Sequence, residues 1–273
     1  MEAMETPEPD FFGPSDTVRV IGHRGAAGAA PENTLPGLEH ALRVGADAVE
    51  FDLQATRDDR LVLLHDDTVD RTTDGSGPVE AMTLREAREL DAGHAFTPDH
   101  GRTHPFRGGE VRIPTLDEAL EVLDGLPAVV EAKSPAAARL LGEWLAEHPA
   151  RDRILVGGFA LEGGATASRR ARWRCASRRE LRPYVLLGKV GLGRRFVPDA
   201  DAVMVPERHR LVKVVTHRFV RRARRDGLGV HVWTVNRPDV MRRLLDMGVD
   251  GLITDLPGRA RRILEEREAA GFE

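Results

Sequence analysis

Val49-Glu50-Phe51-Asp52-Leu53 sets two carboxylates against three large apolar side chains in five residues. Side chains alternate across a strand, so Glu50 and Asp52 share one face while Val49, Phe51 and Leu53 share the other. Val129-Val130-Glu131-Ala132-Lys133 repeats the arrangement, with a carboxylate and a lysine on one face. In a barrel the apolar face suits the layer beneath surrounding helices. The charged groups then point inward at the C-terminal ends of their strands.

Similar short runs recur along the chain between longer helical patterns. Strands are expected at Val18–Gly22, Ala48–Leu53, Ala128–Lys133, Ile154–Gly158, Tyr184–Leu187, Ala202–Val205, Val230–Val235 and Gly251–Thr254. Helices are expected at Leu35–Val44, Leu116–Leu123, Ala136–Glu147, His217–Asp226, Asp239–Met247 and Arg259–Arg267. Alternating β and α units build a parallel sheet, and eight strands close it into a TIM (β/α)8 barrel. Residues 54–114 hold far more chain than one helix needs. They read as a small insertion after the second strand, with a turn at Arg57–Arg60 and a short strand at Leu61–Leu64. Residues 1–15 read as a flexible tail and 16–273 as one domain. The arginine-rich stretch Arg169–Pro183, around Trp173, reads as a solvated connection or helix surface.

Composition excludes several classes. The chain has 273 residues, enough to bury a core without staples, and its lone Cys175 excludes an internal disulfide framework. No apolar run approaches the roughly 18 residues of a membrane span. The acidic start, Met1 to Asp10, has no signal-peptide pattern, which gives the expectation of a cytoplasmic protein. A net charge of −4 gives no support for a nucleic-acid partner. Of the 40 basic residues only Lys133, Lys189 and Lys213 are lysines, so lysine at a strand end is not ordinary basicity.

Same-face neighbours lie roughly 6.6 Å apart along a strand, and two poorly solvated anions at that spacing repel. A divalent metal with oxygen ligands relieves Glu50 and Asp52, and Glu131 can complete a three-carboxylate set. Lys133 could instead form a structural ion pair with Glu131. His23 ends the first strand in Gly22-His23-Arg24-Gly25, and His65 ends the short strand of the insertion. Histidine suits acid/base work near neutrality, with an ordinary pKa of about 6.5. The remaining histidines read as structural.

These residues, in order, resemble the glycerophosphodiester phosphodiesterase family. The resemblance rests on His23-Arg24-Gly25, Pro31-Glu32-Asn33-Thr34, Glu50-x-Asp52, Thr56-x-Asp58 and His65-Asp66. Asp70-Arg71 through Gly77, Ile113-Pro114-Thr115-Leu116, Glu131-x-Lys133, Val232–Asn236 and Gly251–Asp255 extend it across residues 18–262. It implies a TIM barrel that hydrolyses a small glycerophosphodiester to glycerol 3-phosphate and an alcohol, with one divalent cation, Mg²⁺ or Ca²⁺. It implies Glu50, Asp52 and Glu131 as metal ligands and His23 and His65 as the acid/base pair. By the same likeness Arg24 and Lys133 contact phosphate, Glu32 and Asn33 support the site, and Trp233 walls the substrate pocket. An attack by the neighbouring glycerol hydroxyl, through a cyclic phosphate, is the expected chemistry.

The likeness is uneven at Gly157-Gly158-Phe159, where the family carries Ser-Phe, and through Ala160–Pro183. A lysophospholipase D activity and a catalytically inactive glycerophosphate-binding barrel are the alternatives. Trp233 has a second reading as a barrel-core aromatic. Asp255, ahead of Pro257, reads as the start of the last helix. Cys175 reads as an inert or surface thiol.

Overall fold

The computed structural model describes residues 11–158, 169–209 and 212–271. Gly22 and the alternation in residues 49–53 belong to the first two of eight parallel strands that form a nearly closed barrel. In chain order these are β1 (Arg19–His23), β2 (Ala48–Ala55), β4 (Ala128–Ala132), β5 (Ile154–Gly158), β6 (Trp173–Arg174), β7 (Ala202–Pro206), β10 (Gly229–Trp233) and β11 (Gly251–Thr254). Their order around the sheet is β6-β5-β4-β2-β1-β11-β10-β7. The last seam is held by one bridge, Cys175 to Ala202. The short β3 (Leu61–Leu63) lies antiparallel on β2, and β8 (Arg208–His209) pairs with β9 (Val212–Lys213) beyond the end of β7.

The helices are α1 (Leu35–Arg43), α2 (Leu84–Arg88), α3 (Leu116–Val122), α4 (Pro135–Glu147), α5 (Arg178–Lys189), α6 (His217–Arg225), α7 (Pro238–Asp246) and α8 (Pro257–Ala269). Thr115 with Glu118 and Ser177 with Glu180 form reciprocal capping boxes that satisfy the first amides of α3 and α5. Val49, Phe51, Leu53 and Val130 pack outward against α1, α3 and α4, as the alternation predicts. Among the described residues, no helix is long and apolar enough to cross a membrane.

Residues 61–113 carry their own apolar cluster, with Val62, Leu64, Val69, Val79, Val111 and Ile113 buried together. This gives the insertion a fixed shape over the C-terminal end of β2. That end of the barrel is where the site lies.

The fifth unit departs from expectation. Tyr184–Leu187 is not a strand but the middle of α5, and the fifth strand is Trp173–Arg174. A short apolar run has no period of its own, and Pro183 before it reads as a helix stop. The chain tolerates Pro183 inside α5, and only Tyr184 of that helix is buried. Trp173 is therefore core, not part of a solvated stretch.

The opposite end of the barrel is closed by residues expected to be a loose tail. Residues 1–10 of that tail, and 159–168 of the uneven stretch, lie outside the described residues. Phe11 and Phe12 are buried, and the Phe12 ring meets Trp173 edge-on at 5.1 Å and His231 at 5.7 Å. His231 Nε2 donates to the Phe12 carbonyl at 2.8 Å, and burial pulls its pKa below the ordinary histidine value. The Ser15 amide donates to Asp250 at 2.8 Å. Truncating Phe12 to alanine is expected to cost about 3–5 kcal/mol, the usual range for a buried phenylalanine. A denaturant midpoint unmoved by Phe12→Ala would show this plug to be ornamental.

Candidate active site

β1, β2 and β4 bring three carboxylates together at the C-terminal mouth. Register pairs His23 with Glu50 and Asp52 with Glu131 across neighbouring strands. Glu50, Asp52 and Glu131 each offer an oxygen, and these atoms lie within 4.8 Å of one another. Glu50 and Asp52 are buried, while Glu131 is partly open.

Their surroundings differ. Asp52 Oδ2 sits 3.0 Å from Arg24 Nε and accepts from Asn33 Nδ2 at 2.9 Å, while Lys133 Nζ lies 3.0 Å from Oδ1. Asn33 also accepts from the Asp52 amide at 3.0 Å, locking the two together. Lys133 reaches Glu131 as well, at 3.1 Å. Among the described residues Glu50 accepts only the Arg24 amide, at 2.9 Å, and it faces His23 Nε2 at 3.9 Å. Burial, then the charge of Asp52, push its pKa up to about 8. Arg24 and Asn33 hold left-handed backbone at φ 49° and 54°, rare for residues with a side chain. Gly25 follows because a Cβ there would lie 2.6 Å from the Gly37 backbone.

Each histidine has a carboxylate behind it. His23 Nδ1 lies 2.6 Å from Asp255 Oδ1, and Asn236 Nδ2 donates to the other oxygen of Asp255. Asn236 Oδ1 accepts the Asp255 amide at 3.0 Å, so the acceptor is itself fixed. Burial alone would lower the His23 pKa. The Asp255 bond and the charges of Glu50 and Asp255 outweigh it and raise the value. His65 Nδ1 lies 2.6 Å from Asp66 Oδ1. Asp66 also takes Arg71 Nε at 2.5 Å, and these partners hold its pKa down at about 2 against partial burial.

Arg71 spans the cleft. Its two terminal nitrogens each donate to Glu32 at 2.8 Å, and Glu32 accepts from Arg24 at 2.7 Å. A continuous polar chain thus runs from Asp52 through Arg24, Glu32, Arg71 and Asp66 to His65. It ties the insertion to the barrel strands.

Of the ten residues named from sequence, Glu50, Asp52 and Glu131 lie within β2 and β4, and the others lie at strand ends or in the loops that follow them. Glu50, Asp52, Glu131, Lys133, Arg24, Glu32, Asn33 and His23 are linked by the contacts above, and His65 through Asp66 and Arg71. Trp233 ends β10 beside Pro206 and is 45% exposed, so it is not a core aromatic. The structure corrects the reading of Asp255, since Leu256 takes the cap position of α8 and Asp255 braces His23. Asn236 and Arg71 were given no role from sequence, although both fall inside quoted motifs. Cys175 is buried, not on the surface, and burial pushes its thiol up to about 12, which makes it inert.

Comparisons with known proteins follow this geometry. The model of the glycerophosphoryl diester phosphodiesterase family matches residues 23–259. A glycerophosphodiester phosphodiesterase of Bacillus altitudinis is 32% identical over 260 residues, covering 91% of this chain and 98% of its own length. The crystal structure of a glycerophosphodiester phosphodiesterase from Agrobacterium tumefaciens is 27% identical, with a TM-score of 0.68, 89% of this chain and 99% of that one covered. An Oleispira antarctica phosphodiesterase in complex with the product sn-glycerol-3-phosphate is 26% identical, with a TM-score of 0.71 over 90% of this chain and 96% of its own. The match starts at His23 and takes in both histidines, all three carboxylates and the Asp255 brace, and the chain belongs to the glycerophosphoryl diester phosphodiesterase family.

Proposed function

We propose that this chain hydrolyses glycerophosphodiesters to glycerol 3-phosphate and an alcohol, with His23 and His65 as the acid/base pair. The observation that carries this is the pairing of each imidazole with its own carboxylate beside one acidic cluster. The product bound to the Oleispira antarctica relative supports the substrate class.

The donor set fits a divalent cation. Glu50 is a buried carboxylate facing two others, and no lysine or arginine side chain among the described residues pairs with it. Glu50, Asp52 and Glu131 would hold the ion, and an all-oxygen set suits Mg²⁺ or Ca²⁺. When bound, such an ion would supply Lewis-acid stabilisation of charge on the substrate.

A carboxylate on Nδ1 fixes the tautomer and leaves Nε2 for proton transfer. His23, whose pKa is raised above the ordinary histidine value by Asp255 and Glu50, serves as the acid. His65 serves as the base and takes the proton of the glycerol hydroxyl next to the phosphodiester. That oxygen bonds to phosphorus, the bond to the alcohol breaks, and His23 gives its proton to the departing oxygen. Water then opens the cyclic phosphate with the roles exchanged. Arg24 presents its planar fork and Lys133 a point charge to the phosphoryl oxygens, stabilising charge as it redistributes. Trp233, half open at the mouth, packs on the glycerol carbons or the head group.

The test is release of the head-group alcohol with Mg²⁺ or Ca²⁺ supplied, together with glycerol 3-phosphate from a panel of glycerophosphodiesters and with lysophosphatidic acid from lysophosphatidylcholine. Turnover of the small diesters supports the reading. Turnover of the lysophospholipid alone would favour the lysophospholipase D alternative, and tight binding of glycerol 3-phosphate with no turnover of any diester would sink both.

The high pKa of Glu50 sets a pH dependence for ion binding. An ion must displace the Glu50 proton, so affinity is expected to climb with pH, by up to tenfold per unit, and level off above about 8. Calorimetric titration of Mg²⁺ or Ca²⁺ across this range measures it. An affinity that stays flat below about pH 8 would show that the ion displaces no Glu50 proton in that range.

A further inference from the structure

The charge of this protein is unevenly placed. The whole chain carries −4, yet residues 178–225 hold 14 Lys and Arg against four Asp and Glu. Three of those four acids are already engaged. Glu180 takes Arg174, Glu207 takes Arg243, and Asp201 accepts the Arg174 amide at 2.7 Å. Among the described residues, Arg218 and Arg221 have no acidic partner, and with Arg225 they line a groove of about 420 Å³ with Gly188, Gly191 and Gly193.

The same segment exposes apolar side chains. Among the described residues the exposed large ones are Leu186, Val190, Leu192, Val197, Val212 and Trp233. Leu186 and Val190 are 64% and 68% exposed. They continue the line Arg178–Arg182 at four-residue spacing, so one outward stripe of α5 reads Arg, Arg, Leu, Val. Solvent-facing helix positions ordinarily take polar residues.

Contacts place one end of this patch at the catalytic end. Tyr184 Oη donates to Asp226 at the foot of α6 at 3.0 Å, while Lys189 Nζ donates to the Lys213 carbonyl at 3.1 Å. α5 therefore runs against α6 and ends beside the β8–β9 pair. That pair follows the C-terminal end of β7, whose Pro206 neighbours Trp233 at the mouth. Val190 and Val212 thus stand at the rim end of the patch with Lys189 and Arg218, and Leu186 and Arg221 continue it along the side of the barrel toward the foot of α6.

We propose that this rim docks on anionic phospholipid bilayers. Aliphatic tips inserted at the boundary of headgroups and acyl chains, ringed by cations that have no acidic partner among the described residues, suit such a surface. Long basic side chains reach lipid phosphates while their stems lie along apolar neighbours. Docking there would bring the catalytic mouth to the lipid surface. The inference goes beyond the proposed hydrolysis and does not depend on it.

Flotation of the full chain with extruded vesicles tests it without any activity readout. Binding is expected to vesicles of phosphatidylcholine mixed with phosphatidylserine, and to fall at least about tenfold on phosphatidylcholine alone. Arg218→Gln combined with Arg221→Gln is expected to weaken binding roughly ten- to thirtyfold, from two lost contacts with the anionic surface. Leu186→Ser combined with Val190→Ser is expected to weaken it by at least about tenfold. Both pairs should leave hydrolysis of a water-soluble diester unchanged, which also shows that the variants fold. Equal binding to both vesicle types, or serine variants that float like the parent, would overturn the proposal. So would retention on heparin without flotation, which would assign the patch to an acidic macromolecule.

Discussion

Alanine at His23 or at His65 lowers turnover by roughly 10²–10⁴-fold, the range for losing a positioned general acid or base. The two losses should leave divalent-ion affinity within a fewfold of the parent, since neither imidazole belongs to the carboxylate cluster. Asp255→Asn gives a sharper reading of His23. The Asp255 bond is among the forces raising the His23 pKa, so removing its charge lowers that pKa. An acid must be protonated to act, and the alkaline limb of the kcat profile should therefore move to lower pH in Asp255→Asn. A structural brace would lower kcat without moving that limb. Near-full turnover by folded, ion-loaded His23→Ala or His65→Ala would refute the acid/base assignment.

Exhaustive chelation is expected to abolish activity, with Mg²⁺ or Ca²⁺ restoring it. Glu50→Gln tests the ligand set directly, because it keeps the side-chain volume and removes the charge. It should raise the dissociation constant of the ion at least about tenfold and take away the pH dependence of binding below about 8. The same substitution removes a buried carboxylate that burial and Asp52 disfavour. The ion-free Glu50→Gln protein should thus be no less stable than the parent above about pH 8, where the full cost of the raised pKa is carried. Activity that survives chelation would take the ion out of the mechanism whatever the binding data show.

Much of this site was legible because strand alternation is local. Glu50 and Asp52 had to share a face, and the register of β2 with β4 then brought Glu131 beside Asp52. Helix bounds were readable for the same reason. What the chain hid was pairing across long separations. Asp255 braces a histidine 232 residues away, and its place before Pro257 suggested a cap instead. Arg71 reaches back 39 residues to Glu32 from inside the insertion, whose path no periodicity reveals. The fifth unit failed for a different reason. Its strand is two residues long, and its apolar run belongs to a helix that the Ser177–Glu180 capping box announces. Leu186, exposed on that helix, stood in the run read as a strand, because composition does not say which way a side chain faces.

The phenylalanine plug has a practical consequence for anything attached ahead of it. The chain enters the barrel through Phe11 and Phe12, packed around His231 at the end away from the acidic cluster. A tether fused upstream would therefore grip the molecule by its base. On a bead or sensor chip, such a linkage should leave the reacting pocket directed at the bulk liquid, whereas attachment through the surface lysines Lys189 and Lys213 would turn it toward the support.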